Sequence, residues 1–435
     1  MQRRKSMRAA IAAVTAVLLT ATACGSGGDS GVVNLKFYSV AFQKANVKAY
    51  KQLINEWNEE NPKIQVELVQ GNWDAAPDYL LTSFQGGDAP DMFYYEAQGL
   101  QTFADAGFLL DLSDQLPKEM KDDIIPSAWA SVEDKKSGTY GIPFSWETQL
   151  FMVNKKLFDK AGIELPTSED PWTWEEMRAA AKKLTEDKNG DGTPERYGVA
   201  WSLEQATNAM LTYSMNYDGK YFYRSGGKPT VRYDAAEQQV PQQIHDMIWN
   251  EKTSPKTSAS MGADDVLPGF YGGKYAMISK GVWFRGSLKD SAPKGFDWQV
   301  LPPLEGDTQG QASAPQTMSI AAESEHPEES MQFLSWLLNT ENMGKLAYTD
   351  WMIPTRESSL KEPEFNTEKD GWKVAVESGS IREKAPYLGV NGFEEWKSKA
   401  ADPAFQQYFG NKISDAELKK KLADDGNGIL ERANR

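Results

Sequence analysis

The sequence predicts an α/β fold in two lobes, each with a mostly parallel sheet flanked by helices. Short apolar segments with β-type alternation are separated by helical segments, at a spacing typical of parallel strands joined by helices. The stretch 140–154, YGIPFSWETQLFMVN, is an extended segment of the kind that passes from one lobe into another. A length of 435 residues is sufficient for two or three domains.

The first part of the chain alternates between predicted strands and helices. Every second residue of the strands is apolar, and apolar residues of the helices recur every three to four positions. Asn61-Pro62 ends the first helix and Gly86-Gly87 ends the second, because proline and glycine interrupt helices. The predicted elements are a strand at 33–37, a helix at 47–57, a strand at 64–68, a helix at 78–84 and a strand at 92–95.

The second part of the chain contains further strands and ends in helices. Thr173 and Glu176 form a capping-box pattern, which opens a helix with Trp174 on its apolar face. Ser414 and Glu417 repeat the pattern and are predicted to cap the last helix. The other predicted elements are strands at 149–153, 274–279 and 300–303, and helices at 155–161, 263–271 and 327–339.

Residues 1–23 have the composition of an export signal. Four basic residues precede an uncharged apolar run at 9–23, which is short for a membrane span. The run ends in Ala21-Thr22-Ala23-Cys24, so the segment resembles a bacterial lipoprotein signal in which Cys24 is lipidated. The alternative is a plain secretory signal, and Arg3-Arg4 leaves the twin-arginine export route open. Residues 24–33 are predicted to be a flexible tether.

Charge and the absence of several motifs exclude a number of function classes. The formal net charge is −15, and removal of the four basic residues in 1–23 makes it −19, which disfavours nucleic acids and anionic lipid surfaces as partners. Cys24 is the single cysteine, so the fold has no disulfide and no thiol nucleophile. Two histidines are too few for a histidine-rich metal site. The sequence contains no P-loop, GxGxxG, GxSxG or HExxH motif.

Two pairs of adjacent residues are candidates for contact with a ligand. Tyr94 and Tyr95 lie at the carboxyl end of a predicted strand, where open α/β sheets bind ligands. Trp146 and Glu147 lie where the chain passes between the lobes. An aromatic ring stacks on the C–H face of a sugar, and a carboxylate accepts hydrogen bonds from its hydroxyl groups. The alternative for the second pair is a core tryptophan and a surface glutamate.

Further aromatic residues occur singly in polar or glycine-rich surroundings. Trp201, Trp283 and Trp351 are of this kind, and together with Arg356 they are candidates for the wall of a cleft. Each tryptophan, taken alone, fits a hydrophobic core better than a binding site.

The segment 187–195 resembles the beginning of a calcium-binding loop. Asp187, Asn189 and Asp191 occupy the first, third and fifth positions, and Glu195 occupies the ninth. The twelfth position, where an EF-hand has a bidentate glutamate, is Gly198, so a complete EF-hand is excluded. A partial calcium loop and a solvated turn both remain open, and the turn is favoured.

Taken together, several segments resemble the sugar-specific extracellular solute-binding proteins of ABC importers, the maltose-binding-protein-like group. The order and spacing of these segments carry the resemblance, which extends over nearly the whole mature chain. They are NPKIQV at 61–66, GDAPD at 87–91, YGIP at 140–143, VNKKLF at 153–158, DG at 191–192, FYGGKYAM at 270–277, GVW at 281–283, LPPLEG at 301–306, PEESMQF at 327–333 and IPTR at 353–356.

The resemblance implies a two-lobed periplasmic-binding-protein fold with a hinge of three crossovers. These crossovers are expected near 143–147, 299–303 and 338–341. Lobe one then comprises residues 34–145 and 301–338. Lobe two comprises residues 146–300 and 339–435.

The resemblance also assigns ligand contacts to three residues. Glu147 matches an acidic contact, Trp283 matches a stacking aromatic residue, and Tyr95 matches an aromatic residue at a strand end of the first lobe. The charged contacts that the family has just beyond that residue fall here on Gln98 and Gly99. This departure disfavours maltose itself as the ligand.

The implied function is that of a monomeric, non-catalytic receptor on the outer face of the cell membrane, anchored by a lipid on Cys24. It traps a sugar or oligosaccharide by hinge closure and delivers it to the membrane subunits of an ABC permease. No cofactor is expected, apart from a structural calcium ion in the loop described above. The alternatives are a binding protein for a non-sugar solute in the same fold and an exported carbohydrate-active enzyme.

Overall fold

The computed structural model of the chain describes residues 31–134 and 138–435. The predicted lipidation site, Cys24, therefore lies outside the described residues. The described strands are β1 (Val33–Ser39), β2 (Ile64–Gln70), β3 (Met92–Glu96), β4 (Glu133–Asp134), β5 (Gly138–Thr139), β6 (Ile142–Trp146), β7 (Gln149–Asn154), β8 (Tyr197–Ala200), β9 (Phe222–Ser225), β10 (Lys228–Val231), β11 (Tyr275–Gly281), β12 (Trp298–Leu301), β13 (Gln311–Ser313), β14 (Gln316–Ile320), β15 (Ile353–Pro354) and β16 (Arg382–Lys384).

The helices account for most of the remaining chain. They are α1 (Lys44–Glu60), α2 (Ala76–Gly86), α3 (Ala97–Asp105), α4 (Lys118–Asp123), α5 (Pro126–Val132), α6 (Lys155–Ala161), α7 (Trp174–Leu184), α8 (Thr207–Ser214), α9 (Ala235–Trp249), α10 (Leu267–Tyr271), α11 (Phe284–Ser291), α12 (Pro327–Leu337), α13 (Thr340–Thr349), α14 (Trp372–Glu377), α15 (Phe393–Trp396), α16 (Asp402–Phe409), α17 (Asp415–Lys419) and α18 (Gly426–Ala433).

The first lobe is built on a six-stranded sheet in the order β15-β6-β14-β3-β1-β2. Leu35 and Phe37 of β1 are buried while Asn34 and Lys36 between them are exposed, as the alternation in the sequence predicts. β1 pairs in parallel with β2 and β3. β14 runs antiparallel to β3 and β6, and β15 runs antiparallel to β6. The sheet is therefore mixed, and the prediction of a mostly parallel sheet holds only for its first three strands.

The second lobe is built on a four-stranded sheet in the order β12-β7-β11-β8. β11 is parallel to β8 and antiparallel to β7, which in turn pairs antiparallel with β12. All seven residues of β11 are buried, as is typical of a central strand in a helix-covered sheet, and α7 and α10 pack on it. The two sheets and their helices confirm the α/β class.

The chain crosses between the two sheets at three places. The first crossing is at 147–148, between β6 and β7, and the second lies between β12 and β14. The third was predicted at 338–341, but α13 packs on α1 and β15 joins the first sheet. Asn46 of α1 donates hydrogen bonds to the Leu346 carbonyl at 2.9 Å and to Thr349 at 3.1 Å, which attaches α13 to lobe one. The chain enters lobe two only before α14, which packs on β12.

Local sequence signals set several element boundaries. Both predicted capping boxes are present, with Thr173 and Ser414 each accepting from the backbone of the glutamate three residues later. The second box opens α17, which continues through the π-helical turn Lys420–Asp425 into α18, so it caps the last helical segment of the chain as predicted. Gly87 ends α2 with φ +69°, a left-handed conformation that glycine adopts without strain. Within the described residues, no helix has the length and apolar character needed to cross a membrane.

Candidate ligand-binding site

A cavity of about 420 Å³ lies between the two lobes. The chain segments that meet there include the carboxyl end of β3, the first crossing between the sheets, and the turn after β11. Its walls combine aromatic rings with acidic and amide side chains. The lining residues are Phe42, Trp73, Asp74, Pro77, Tyr94, Tyr95, Glu96, Glu147, Gln205, Asn208, Trp283, Gln316, Asp350, Met352, Glu394 and Lys397.

Glu147 and Trp283 form a pair on the lobe-two side of the cavity. The indole of Trp283 donates a hydrogen bond to the Glu147 carboxylate. A side chain at Gly281 would not fit beside them, since its Cβ would lie 2.5 Å from Trp283 Nε1 and 2.9 Å from Glu147 Oε2. Burial, together with the negative charge of Glu96, raises the pKa of Glu147 to about 7 against the lowering effect of the indole. The pair is thus a preformed acceptor beside a ring face.

Tyr94 and Asp350 form a second pair on the lobe-one side. Asp350 is 5% exposed and accepts a hydrogen bond from the Tyr94 hydroxyl. Burial raises the pKa of Asp350 to about 8, because that one hydrogen bond offsets only part of the lost hydration. Burial and the nearby Asp350 likewise raise the pKa of Tyr94. The Oδ1 atom of Asp350 has no hydrogen-bond partner among the described residues.

Aromatic rings from both lobes border the cavity. Trp73 lies 6.2 Å from Tyr95 between ring centroids, with the planes 29° apart, and meets Tyr94 edge-on at 5.6 Å. Phe42 of lobe one meets Trp283 of lobe two edge-on at 5.8 Å. Phe42 is 50% exposed, which places it at the mouth of the cavity. These rings offer apolar faces on opposite sides of the space between the lobes.

Polar side chains complete the remaining wall. Gln98 donates to the Glu96 carboxylate, which orients that acid. Three further acceptor atoms are buried and have no hydrogen-bond partner in the described part of the chain: Asn208 Oδ1, Gln316 Oε1 and Glu394 Oε1. Buried acceptors without partners are costly, so a ligand that brings hydrogen-bond donors stabilises this arrangement.

Lys397 is the one basic side chain among the lining residues. It begins the π-helical turn Lys397–Ala401 that joins α15 to α16. Burial alone would lower its pKa, but the negative charges of Glu96, Glu394, Asp402 and Glu147 raise it above the usual value. The ammonium group is therefore held charged by its acidic neighbours.

The structure brings four of the predicted ligand contacts into this cavity. Tyr94, Tyr95, Glu147 and Trp283 all line it. The first two follow from the position of β3 in the sheet, and the other two meet because β7 and β11 are neighbouring strands. Their roles in binding remain predictions.

The other four predicted contacts lie outside the cavity. Trp146 is buried beneath the Arg382 guanidinium, 3.6 Å from its ring centroid, and Trp201 stacks on Trp174 at 6.2 Å. Both therefore belong to the core, which corrects the prediction that they line the cleft.

Trp351 and Arg356 are likewise structural. Trp351 stacks on Trp372 at 5.4 Å, in a small apolar cluster formed with residues of α13 and α14, although its neighbours in sequence line the cavity. Arg356 donates to Asp123 Oδ2 at 2.9 Å and to the Leu338 carbonyl at 2.7 Å. Both contacts lie within lobe one, and Arg356 does not line the cavity.

The segment predicted as a calcium loop forms a turn bonded by its own backbone. Asp187 accepts from the amides of Gly190 at 2.8 Å and Gly192 at 2.9 Å. Asn189 accepts from Asp191 N, Asp191 accepts from Thr193 N, and Glu195 accepts from Lys188 N. The described residues contain no group of three or more acidic, histidine or cysteine side chains arranged to hold a metal ion. The geometry favours the solvated turn, and calcium binding stays an untested prediction.

Several lining residues escaped the sequence analysis. Trp73 and Asp74 lie just beyond the carboxyl end of β2, and Tyr95 lies near the carboxyl end of β3. The rule that ligands bind at the carboxyl ends of parallel strands would therefore have identified Trp73 and Asp74. Asp350, Glu394 and Lys397 have no such local signal. They reach the cavity only through the packing of the helices in the last quarter of the chain.

Residues 43–344 match the sequence family described as bacterial extracellular solute-binding proteins. The chain belongs to this family. The matched region contains the pair formed by Glu147 and Trp283. It does not contain Asp350, Glu394 or Lys397, which follow residue 344.

Relatives of this solute-binding protein include an uncharacterized lipoprotein in the oleD 5′ region of Streptomyces antibioticus. The two are 38% identical over 418 residues, covering 95% of this chain and 91% of the relative. The maltotriose-binding protein of Pyrococcus abyssi is 23% identical over 361 residues, covering 80% of this chain and 73% of the relative. The family and the first of these relatives agree with an extracytoplasmic location.

Solved structures of similar proteins share the fold of this solute-binding protein. An ABC substrate-binding protein of Listeria monocytogenes, in complex with cycloalternan, superposes with a TM-score of 0.76 at 23% identity, covering 93% of this chain and 99% of that one. The GacH receptor of Streptomyces glaucescens, solved unliganded and with acarbose, gives a TM-score of 0.77 at 20% identity, covering 92% and 99%. The predicted two-lobed binding-protein fold is confirmed.

Proposed function

We propose that this solute-binding protein is the receptor of an ABC importer for a sugar or oligosaccharide, which it binds between its lobes and delivers to a membrane permease. The observation that carries the proposal is the pairing of ring faces with unpaired acceptors around one cavity. Trp73 and Trp283 lie on its opposite sides, and Asp350 and Gln316 each present a buried oxygen without a partner in the described chain. The relatives named for maltotriose and cycloalternan support a carbohydrate.

The two kinds of group suit the two kinds of surface on a sugar ring. The C–H face of a pyranose is apolar and stacks on an indole or phenol ring. The hydroxyl groups at its edge are donors, and each donor left unpaired on closure costs about 1–3 kcal/mol. Carboxylate and amide oxygens around the rings accept those donors. Affinity therefore depends on both sets together.

Closure takes place about the segments that connect the lobes, at 147–148, 302–315 and 355–371. A hinge of this kind moves two rigid sheets with few changes in backbone angles. Glu147 lies within the first connecting segment, so a ligand that contacts it couples directly to the hinge. The closed form then docks on the permease.

We expect binding without hydrolysis. A glycosidase places two carboxyl groups about 5–10 Å apart across the scissile bond and needs one as an acid and one as a base or nucleophile. Glu147 is instead engaged by the Trp283 indole. Mass spectrometry of an oligosaccharide recovered after incubation should give its original mass, and a shortened product would favour an enzyme.

The remaining parts of the proposal concern the anchor and the assembly. We propose that the protein is lipidated at Cys24 and held at the outer face of the cell membrane as a monomer. Metabolic labelling with a fatty acid, compared between the wild type and Cys24→Ser, tests the anchor. Label in both proteins would contradict it.

The direct test of the function is calorimetric titration with a panel of mono-, di- and trisaccharides. At least one should bind saturably and change the tryptophan fluorescence, because Trp73 and Trp283 border the cavity. A linear polyol such as sorbitol is the control, since it has hydroxyl donors but no ring face. Binding of sorbitol but of no saccharide, or no binding at all, would overturn the proposal.

A further inference from the structure

Acidic groups far outnumber basic groups among the side chains that line the cavity. Five of them are carboxylates and one, Lys397, is an ammonium. The acids come from both lobes and from distant parts of the chain: Asp74, Glu96, Glu147, Asp350 and Glu394. Hydroxyl groups need acceptors, but neutral amides such as Gln316 and Asn208 supply those without charge. The recognition of hydroxyl groups alone therefore does not explain why so many of the lining residues are acids.

Lys397 compensates one end of the cavity only. It interacts with Glu96, Glu394 and Glu147, and with Asp402 behind them. No basic side chain of the described residues lowers the pKa of Asp350. The Tyr94 hydroxyl is the one described group that favours its ionised form. Asp350 is 5% exposed, and its Oδ1 atom has no partner in the described chain. A buried acid therefore faces the cavity without a cation.

The acceptors without partners among the described residues lie beside aromatic rings, so a cation bound there would interact with both kinds of group. Gln316 is 8% exposed, and its Oε1 atom also lacks a partner within the described residues. The faces of Trp73, Trp283 and Tyr95 border the same cavity. An ammonium group is attracted both to carboxylates and to the electron-rich faces of aromatic rings.

Closure of the lobes strengthens the effect of these acids. A neutral sugar displaces water from them without bringing a counter-charge, so closure favours the protonated, uncharged form of each acid. Burial already raises the pKa of Asp350 to about 8, and burial beside Glu96 raises that of Glu394 to about 7. A ligand that carries its own cation stabilises the ionised carboxylates and so gains an interaction that a neutral sugar lacks.

We propose that the natural ligand is a protonated amino sugar, or an oligosaccharide containing one, with its ammonium group at Asp350 and its hydroxyl groups at Glu147, Gln316 and Asn208. This inference rests on the proposed function as a sugar receptor and narrows its substrate class. The amine donates charge-assisted hydrogen bonds to the free oxygen of Asp350, and the ring stacks between the aromatic walls.

The test is a calorimetric comparison of matched ligands, each offered as the neutral sugar, as the analogue with an amine in place of one hydroxyl, and as the N-acetylated amine. Glucose, galactose and mannose series and gluco-configured di- and trisaccharides serve as probes, in a buffer that keeps the amine protonated. The best amine should bind at least about tenfold more tightly than its neutral and N-acetylated counterparts. The acetylated form controls for the nitrogen itself, because it has no charge.

Variants locate the ammonium group. Asp350→Asn keeps an acceptor for Tyr94 but cannot ionise, so it should abolish most of the preference for the amine over the neutral sugar. Asp78→Asn is the matched control, because Asp78 lies on α2 beside the lining residue Pro77 but is exposed and does not line the cavity. It should leave the preference unchanged.

The possible outcomes separate the two proposals. Neutral saccharides that bind as tightly as their amines overturn the amino-sugar inference and leave the sugar receptor intact. Absence of binding by every saccharide, charged or neutral, overturns both. A preference for the amine that survives in Asp350→Asn contradicts the placement of the ammonium group at Asp350.

Discussion

Asp123 and Asp350 are two aspartates that differ in how many hydrogen-bond donors their carboxylates have. Asp123 accepts hydrogen bonds from Arg356 Nη1 at 2.9 Å, from the Ser358 amide at 3.0 Å, and from the Ser358 hydroxyl. These bonds hold its pKa below the usual range despite partial burial. Among the described residues, the carboxylate of Asp350 accepts a hydrogen bond from Tyr94 alone, and burial raises its pKa to about 8.

The difference separates a structural acid from an acid that is available to a ligand. The oxygens of Asp123 are satisfied within lobe one, so it ties α4 to the segment after β15. One oxygen of Asp350 is left without a partner in the described chain and faces the cavity. A buried acceptor left unpaired costs free energy unless something else supplies the donor. We infer that this cost is recovered when ligand binds.

Loss of the structural pair should have the largest effect on stability. Arg356→Ala removes the donors to Asp123 and to the Leu338 carbonyl, which are both partly or fully buried. We expect the free energy of unfolding to fall by about 3–5 kcal/mol. Urea denaturation measures it. Sugar affinity under native conditions should be unchanged, and a loss of affinity without a loss of stability would return Arg356 to the binding site.

Asp350, the buried acid of the cavity, should lower the free energy of unfolding as pH rises. Below about pH 4 the carboxyl of Asp350 is protonated in both states; as pH rises toward 8 the unfolded chain ionises while the folded protein resists, so stability falls. Asp350→Asn removes this loss. The ligand-free variant should therefore gain about 3–4 kcal/mol over the wild type between pH 5 and pH 8.

Asp123→Asn is the matched control for that experiment. The lowered pKa of Asp123 contributes stability above its unfolded pKa, and that contribution is lost as pH falls through the folded pKa. The variant should therefore be less stable than the wild type at neutral pH and approach it in acid. Parallel pH profiles for the two variants would contradict the distinction between the two aspartates.

Trp283→Ala should reduce ligand affinity with a smaller free-energy change. The ring borders the cavity and donates to Glu147, so its removal takes away a stacking surface and leaves the carboxylate without that donor. We expect about a tenfold to thirtyfold loss in calorimetric titration, or about 1.5–2 kcal/mol. Trp336→Ala, at a half-buried tryptophan that packs on Trp57 and does not line the cavity, is the control. Equal losses in the two variants would argue against a role for Trp283.

The smallest expected effect is that of Glu147→Gln. Glutamine keeps an acceptor for Trp283 and for a sugar hydroxyl but has no charge. We expect a threefold to tenfold loss of affinity, or about 1 kcal/mol. The raised pKa of about 7 predicts that the wild-type advantage shrinks in acid, where Glu147 is itself neutral. A variant as tight as the wild type at neutral and higher pH would remove Glu147 from the site.

The outcome of the sequence predictions depends on the range of the interactions involved. Thr173 with Glu176 and Gly87 act through bonds to residues a few positions away, and both boundaries are confirmed. The third crossing between the lobes was placed too early because nothing near residue 340 indicates that α13 packs on α1, about three hundred positions away along the chain. Trp283 could be assigned to the cavity only through the family resemblance, because Trp201 and Trp351 have the same local character.

The sequence by itself determined the class of this protein: an α/β chain with an export signal pattern, an acidic charge, and the spaced segments of extracellular solute-binding proteins. The alternation of apolar residues, helix caps and turn residues act over a few positions along the chain, so the sequence is sufficient to predict them. The tertiary structure alone decided which tryptophans face a ligand and which acids are left unsatisfied. Asp350 and Asp123 are the same residue type, but Arg356 and Ser358 donate hydrogen bonds to Asp123 and give it a structural role. Packing between segments that are distant in sequence brings these donors to Asp123.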